Sequence, residues 1–162
     1  MTMALSIRTA LATDVQAMAQ LLEVKRARLE NFEPVMWRVG PQAAQLTLAF
    51  FTHQVGQPNM IARVAEDDGR FLGFIIGGVQ DAPPVFAPGG KTVVVDDFAV
   101  VEGDEGDAAA SELLDAVMSE ARARGAVQLI AIAAAKDARV ARWLESKKLH
   151  VASQWWTRTL SH

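Results

Sequence analysis

Apolar positions change their spacing several times along the chain, and each change predicts an element. Residues 6–9 form a short extended run and predict a first strand. Thr13, Asp14, Val15 and Gln16 match a capping box, in which the threonine hydroxyl takes an orphan amide and the glutamine reaches back. Val15, Met18, Leu22 and Leu29 follow at helical spacing, with Leu21 beside them. This helix is expected to end near Asn31, before Pro34. Pro41 suits the first turn of a second helix that presents Ala43, Leu46 and Phe50 to the core and stops near Gly56. Residues 61–65 and 71–79 read as strands, and Glu66, Asp67, Asp68 and Gly69 supply the hairpin turn between them. Residues 81–90 hold three prolines and two glycines and read as a loop. Residues 92–101 are strongly β-branched and predict a central strand.

The second half continues with a helix over residues 108–124. Its apolar stripe is Leu113, Leu114, Val117, Met118 and Ala121, and Gly125 closes it as a left-handed cap. A strand over 128–133, a short helix over 137–147 and two closing strands over 149–152 and 154–160 complete the reading. The order β-α-α-β-β-β-α-β-α-β-β predicts an α/β (α+β) fold with a mixed sheet and helices on its faces. No repeat, low-complexity segment or linker divides the chain, so residues 1–162 are read as one domain.

Composition narrows the chemistry. The chain has no cysteine, which excludes a thiolate nucleophile and a cysteine metal site. His53, His150 and His162 lack metal-ligand spacing, so no metal is expected. Residues 1–8 show no signal-peptide pattern, and no apolar run approaches membrane-spanning length; a cytoplasmic protein is the default expectation. Net charge is −3, which argues against a nucleic-acid partner. Its distribution is uneven. Residues 92–121 carry nine acids and no base, whereas residues 122–162 carry eight Lys or Arg and two acids.

Three segments carry a resemblance. They are the opening run Ile7, Arg8, Thr9, Ala10 through Thr13 and Asp14 into a helix; the central strand and turn from Phe98 through Ala110 to Leu113 and Leu114; and Gly125, Ala126 and the strand after them, with Asp137, Val140, Trp143, Leu144, Glu145 and Leu149. Together they resemble the GNAT family of N-acetyltransferases over nearly the whole chain. The resemblance implies the acyl-CoA N-acyltransferase fold and acetyl-CoA as co-substrate. The family wraps the CoA pyrophosphate in a turn of the form Arg or Gln, two residues, Gly, one residue, Gly or Ala. Small residues there let amides approach phosphate at a helix N-terminus. Placed by Leu113 and Leu114, Glu105 stands at the basic position and Ala108 and Ala110 at the small ones, with Gly106, Asp107 and Ala109 between. The steric half of the motif is kept and the charge half inverted. Asp107 also sits where it could cap the helix, and Arg139 or Arg142 could return positive charge to the phosphates.

The resemblance further implies roles on the central strand. The amides of Val100 and Val101 would lie beside the pantetheine arm and polarise the thioester oxygen. Asp96 or Asp97 would take the amine proton, and strict strand alternation lets only one of them face the cleft; Asp96 is the preferred candidate. The family's tyrosine acid has no counterpart, because the chain contains no tyrosine; its position falls on Leu144, beside Trp143. The acceptor cleft would take Phe32, Trp37 and Arg38 from the segment between the first two helices, Trp155 and Trp156 from the last hairpin, and the loop around Phe86. Alternatively, the tryptophans are core or homodimer contacts. Two functions stay open: direct acetyl transfer to an amine of a small molecule or protein, and a GNAT-like binding or assembly module that has lost its CoA site.

Overall fold

The computed structural model describes residues 4–160. Five strands form one sheet in the order β1-β2-β3-β4-β5: β1 (Leu5–Thr9), β2 (Met60–Asp67), β3 (Arg70–Gln80), β4 (Lys91–Val100) and β5 (Ala126–Ala131). The first four pair antiparallel, and β5 joins β4 in parallel. Helices α1 (Val15–Phe32) and α2 (Ala43–Gln54) cover one face, and α3 (Asp104–Ala123) covers the other, with α4 (Ala138–Ser146) beyond it. Each face has its own core. Leu113, Leu114 and Val117 of α3 pack on Ile61, Leu72, Ile75, Val93 and Val95. Met18, Leu22 and Phe51 pack on Val64, Phe74 and Ile76. Fully burying side chains of this size stabilises by about 1.5–3 kcal/mol each.

The β2–β3 turn forms as its residues demand, with Asp68 at φ 50° and Gly69 at φ 80°. This is the left-handed pair that a tight hairpin needs. Four expectations are corrected. No side-chain cap closes the entry to α1: Thr13 does not cap it, and Asp14, at the N-cap position, bonds backward instead. A short 3-10 turn (Ala12–Asp14) precedes the helix, and the Asp14 carboxylate accepts from the Leu11 N–H at 2.7 Å and from Arg8 at 2.8 and 2.9 Å. The second correction concerns α2, which buries Thr47 and Phe51, while Leu46 and Phe50 are exposed. Leu46 and Phe50 line a cleft instead of the core.

The third correction is at α3, which begins at Asp104, four residues before the expected start. Gly103, at φ 95°, makes the turn from β4 into the helix. The last concerns residues 149–152 and 154–160, which form no strand. Residues 150–160 carry no regular structure and are exposed throughout, with Trp155 82% and Trp156 89% exposed. A strand needs a neighbour to take its backbone bonds, and residues 150–160 make no hydrogen bond among the described residues.

Candidate active site

Beta-strand pairing between β4 and β5 ends early. The parallel register runs from Lys91 to Val95, and a last bond joins the Ile132 N–H to the Val95 carbonyl at 3.2 Å. Beyond Val95 the two strands diverge. The gap opens a cleft of about 160 Å³ lined by Val95, Phe98 to Glu102, Asp107, Ala110, Ala131 to Ala134, Asp137, Arg139 and Trp143, with Lys25 and Arg28 of α1 at its other wall. This is the C-terminal end of a central strand facing a helix N-terminus, where open α/β sheets bind ligands.

The register tells which backbone groups face the gap. The Val101 N–H donates to the Leu72 carbonyl at 2.8 Å, so Leu72 and Val101 form a hydrogen-bonded pair with β3. Gly73 and Val100 are the next pair and therefore the non-bonded kind, in which backbone groups point to the opposite edge. Of the two expected amides, Val101 is thus consumed inside the sheet and Val100 is aimed at the space β5 has vacated. The same alternation turns the Phe98 carbonyl to that side. There it accepts from the Lys25 ammonium at 2.7 Å.

A bulge changes the reading of the two aspartates. Val95 pairs with Gly77 and Asp97 with Ile76, which leaves Asp96 as the extra residue. Val95 and Phe98 consequently face the same core although three positions separate them. Strict alternation fails across the bulge, so it cannot choose between the two acids. Burial does discriminate: Asp96 is exposed and Asp97 half-buried. Asp97 turns toward α1, where it senses Lys25 and Arg26. Desolvation, reinforced by the Asp96 charge, pushes the Asp97 carboxyl above its ordinary range. Desolvation also lowers the Lys25 ammonium, against the opposing pull of Asp97 and Asp96.

The acids of the expected pyrophosphate turn divide. Glu105 lies off the cleft, paired with Arg70 at 2.7 Å. Asp107 lines the cleft and pairs with Arg139 at 2.6 Å. Because α3 starts early, Ala108, Ala109 and Ala110 lie inside the helix, and the Asp107 N–H already donates to Gly103 at 3.0 Å. The amides left without a helical acceptor are those of Asp104, Glu105 and Gly106. Gly106 has a packing role: a Cβ there would stand 1.7 Å from the Val101 carbonyl oxygen.

A second cleft, of about 820 Å³, lies between the α1–α2 connection and α2. Met36, Trp37, Val39, Leu46 and Phe50 form its apolar wall, and Arg26 and Arg38 are its charged side chains. Phe32 is not part of the wall; its carbonyl accepts from Lys136 at 3.0 Å. Leu29 lines both clefts, and the neighbouring α1 residues Lys25 and Arg26 line one each. Asp97 senses both cations but lines neither cleft. Trp155 and Trp156 line neither cleft, and Phe86 is exposed on its loop.

Sequence reasoning missed Lys25. Its signal was a lysine one turn after Leu21 and Leu22, on the stripe that faces the sheet. It also missed Asp137 as a structural residue. That carboxylate is buried, caps α4 by accepting from the Val140 N–H at 3.1 Å and pairs with Arg28 at 3.2 Å. Trp143 packs on Phe98 with ring centres 5.4 Å apart, and Leu144 lines the same cleft.

A mixed sheet splayed beside a helix N-terminus is the frame of an acyl-CoA-dependent transferase. The model of the acetyltransferase (GNAT) family matches residues 17–146, and the chain belongs to that family. No curated protein sequence matches it. Among solved structures, a point mutant of the BH1408 protein from Bacillus halodurans superposes with a TM-score of 0.84 at 18% identity, over 96% of this chain and 99% of that one. The aminoglycoside N-acetyltransferase AAC(6')-Iy in complex with CoA gives 0.75 at 12% identity, over 99% and 97%. An aminoglycoside acetyltransferase from an uncultured soil metagenomic sample, in complex with sisomicin, gives 0.65 at 16% identity, over 98% and 96%.

Proposed function

We propose that this protein transfers an acetyl group from acetyl-CoA directly to a primary amine. The observation that carries the reading is the cleft beside β4, whose lining brings together Val100, Lys25 and Arg139; Asp97 stands on the same strand and interacts with the Lys25 charge. The residues fit a bound CoA arm. Val100 offers an unpaired N–H to the thioester oxygen at the edge β5 leaves open, and a preorganised donor there stabilises the charge that develops on attack. Asp97, held above its usual range, takes the proton from the attacking amine. Lys25 gives a proton to the departing thiolate, the task for which no tyrosine exists. Arg139, released from Asp107, meets the phosphates near the α3 N-terminus.

The acceptor cleft narrows the substrate class. Its lining contains two arginines and no acid. A polycation such as an aminoglycoside would be repelled there, whereas an amine with an apolar body and a carboxylate matches Trp37, Phe50 and the arginines. The test measures thiol release from acetyl-CoA with apolar amino acids and with an aminoglycoside as acceptors. Release should depend on the amine and favour the amino acids. Acetyl-CoA at 100 times its dissociation constant should stabilise the fold by about 2.7 kcal/mol. Absence of any thermal shift at millimolar acetyl-CoA would refute the reading and leave a binding module without a CoA site.

A further inference from the structure

Lys25 stands apart from the other four lysines of the chain. Lys91, Lys136 and Lys147 each hold a carboxylate, at 3.2, 2.8 and 3.2 Å. Lys148 is exposed just past the end of α4. Lys25 instead lines the cleft beside β4, half-buried, and its hydrogen-bond partner is neutral: it donates to the Phe98 carbonyl at 2.7 Å. A carboxylate partner favours the charged ammonium, whereas a carbonyl accepts from an amine in either protonation state. Desolvation moves Lys25 further toward the neutral amine. It outweighs the pull of Asp97 and Asp96 on β4 and of Asp137 at the start of α4, and Arg28 on its own helix adds to it. The Phe98 carbonyl and the Val100 N–H point to the same edge of β4. Two residues of strand advance about 7 Å. A side chain bound at Phe98 is therefore one rotamer change from an oxygen held by Val100.

We infer that, given the acetyl-CoA site proposed above, Lys25 is itself an acetyl acceptor: when no amine substrate is present, the bound cofactor acetylates its Nζ. The ammonium first loses one proton to solvent. The neutral Nζ attacks the thioester carbonyl carbon while the Val100 N–H holds the oxygen. The N–C bond forms, the C–S bond breaks, and the second amine proton passes to the departing thiolate. The products are an amide, free CoA thiol and one proton in solvent, and no further reactant is needed. The cleft suits the product. Acetylation replaces a partly desolvated charge with a neutral amide among Leu21, Val24 and Phe98, and the amide N–H can still donate to the Phe98 carbonyl. An acetylated Lys25 has no proton to give a thiolate, so a chain modified in this way is idle toward amines.

The test incubates the unaltered chain with acetyl-CoA and no amine, and follows each lysine by peptide mass spectrometry. Lys25 should be acetylated at least about 100-fold faster than any of the other four, a small part of what held reactants can gain. Its rate per chain should stay constant across a dilution series, because cofactor and lysine belong to one molecule. The same chain unfolded in guanidinium should show no preference for Lys25. Thermal melts with acetyl-CoA and thiol release to an added amine are measured alongside. An unmodified Lys25 in a chain that acetyl-CoA stabilises and that releases thiol to the amine would overturn the inference and leave the acetyltransferase reading standing. No thermal shift at millimolar acetyl-CoA would remove both. A rate per chain that rises with protein concentration would make another molecule the donor, and a preference that survives unfolding would trace it to local sequence; either result would overturn the inference.

Discussion

Asp97 and Lys25 shift in opposite directions for one reason: burial disfavours whichever form is charged. Their signs give a testable pH profile. Activity should rise as pH climbs through the raised Asp97 pKa, because the base must be ionised. It should fall as pH passes the lowered Lys25 pKa, because the acid must be protonated. Asp97→Asn should reduce turnover by about 10²–10⁴ and Asp96→Asn far less; equal losses would remove Asp97 from the base role. Lys25→Met should lower turnover and abolish the alkaline limb of the profile, while Lys25→Arg should shift that limb upward. Stability should move the other way from activity. A carboxyl whose folded pKa is raised binds its proton more tightly in the native state, so ionising it costs stability as pH rises from the unfolded value of 3.8 through the folded one. Thermal melts at neutral pH should therefore show Asp97→Asn at least as stable as the parent. Asp14 has the opposite sign. Its bonds to Arg8 lower its pKa, so its contribution is present above 3.8 and is lost as pH falls through the folded pKa.

Among the elements, the start of α3 decides most about cofactor binding. The apolar stripe of Leu113, Leu114 and Val117 was legible because helical spacing is a long-range signal repeated over several turns. The first turn was not, because Asp104, Glu105 and Asp107 have modest helix propensity and gain their place from the macrodipole and from packing against Val101. That packing predicts the effect of Gly106→Ala. With the new Cβ 1.7 Å from a backbone oxygen, the helix must shift, at a cost of about 1–3 kcal/mol or more. Chemical denaturation would measure it, and an unchanged midpoint would mean that the helix starts later than residue 104. The bulge at Asp96 was equally invisible, since two adjacent acids, Asp96 and Asp97, do not show which of them is the added residue. The divided acids yield a further expectation. Asp107→Ala should free Arg139 and tighten acetyl-CoA binding, with a gain that shrinks in salt. Glu105→Ala should leave the affinity nearly unchanged, because Glu105 faces Arg70 and lies off the cleft. Calorimetric titrations at two ionic strengths separate these outcomes; equal effects from both variants would place Glu105 beside the phosphates after all.

At the scale of the whole molecule, the element order was readable through α4 because each element buries an apolar face within this chain. The segment after α4 was misread because strand-like composition does not by itself supply a pairing partner. Both core clusters are complete without it, since their last residues are Ala121 among those fully buried and Trp143 among those packed against them. Residues 150–160 bury nothing. Deleting residues 150–162 should consequently leave a folded chain with an unchanged far-UV spectrum and an intact cleft between β4 and β5. Its affinity for acetyl-CoA should stay within a fewfold of the parent, since every residue assigned to the thioester and the phosphates precedes residue 144. A shortened chain that fails to fold would mean that residues 150–162 complete a core within their own protomer.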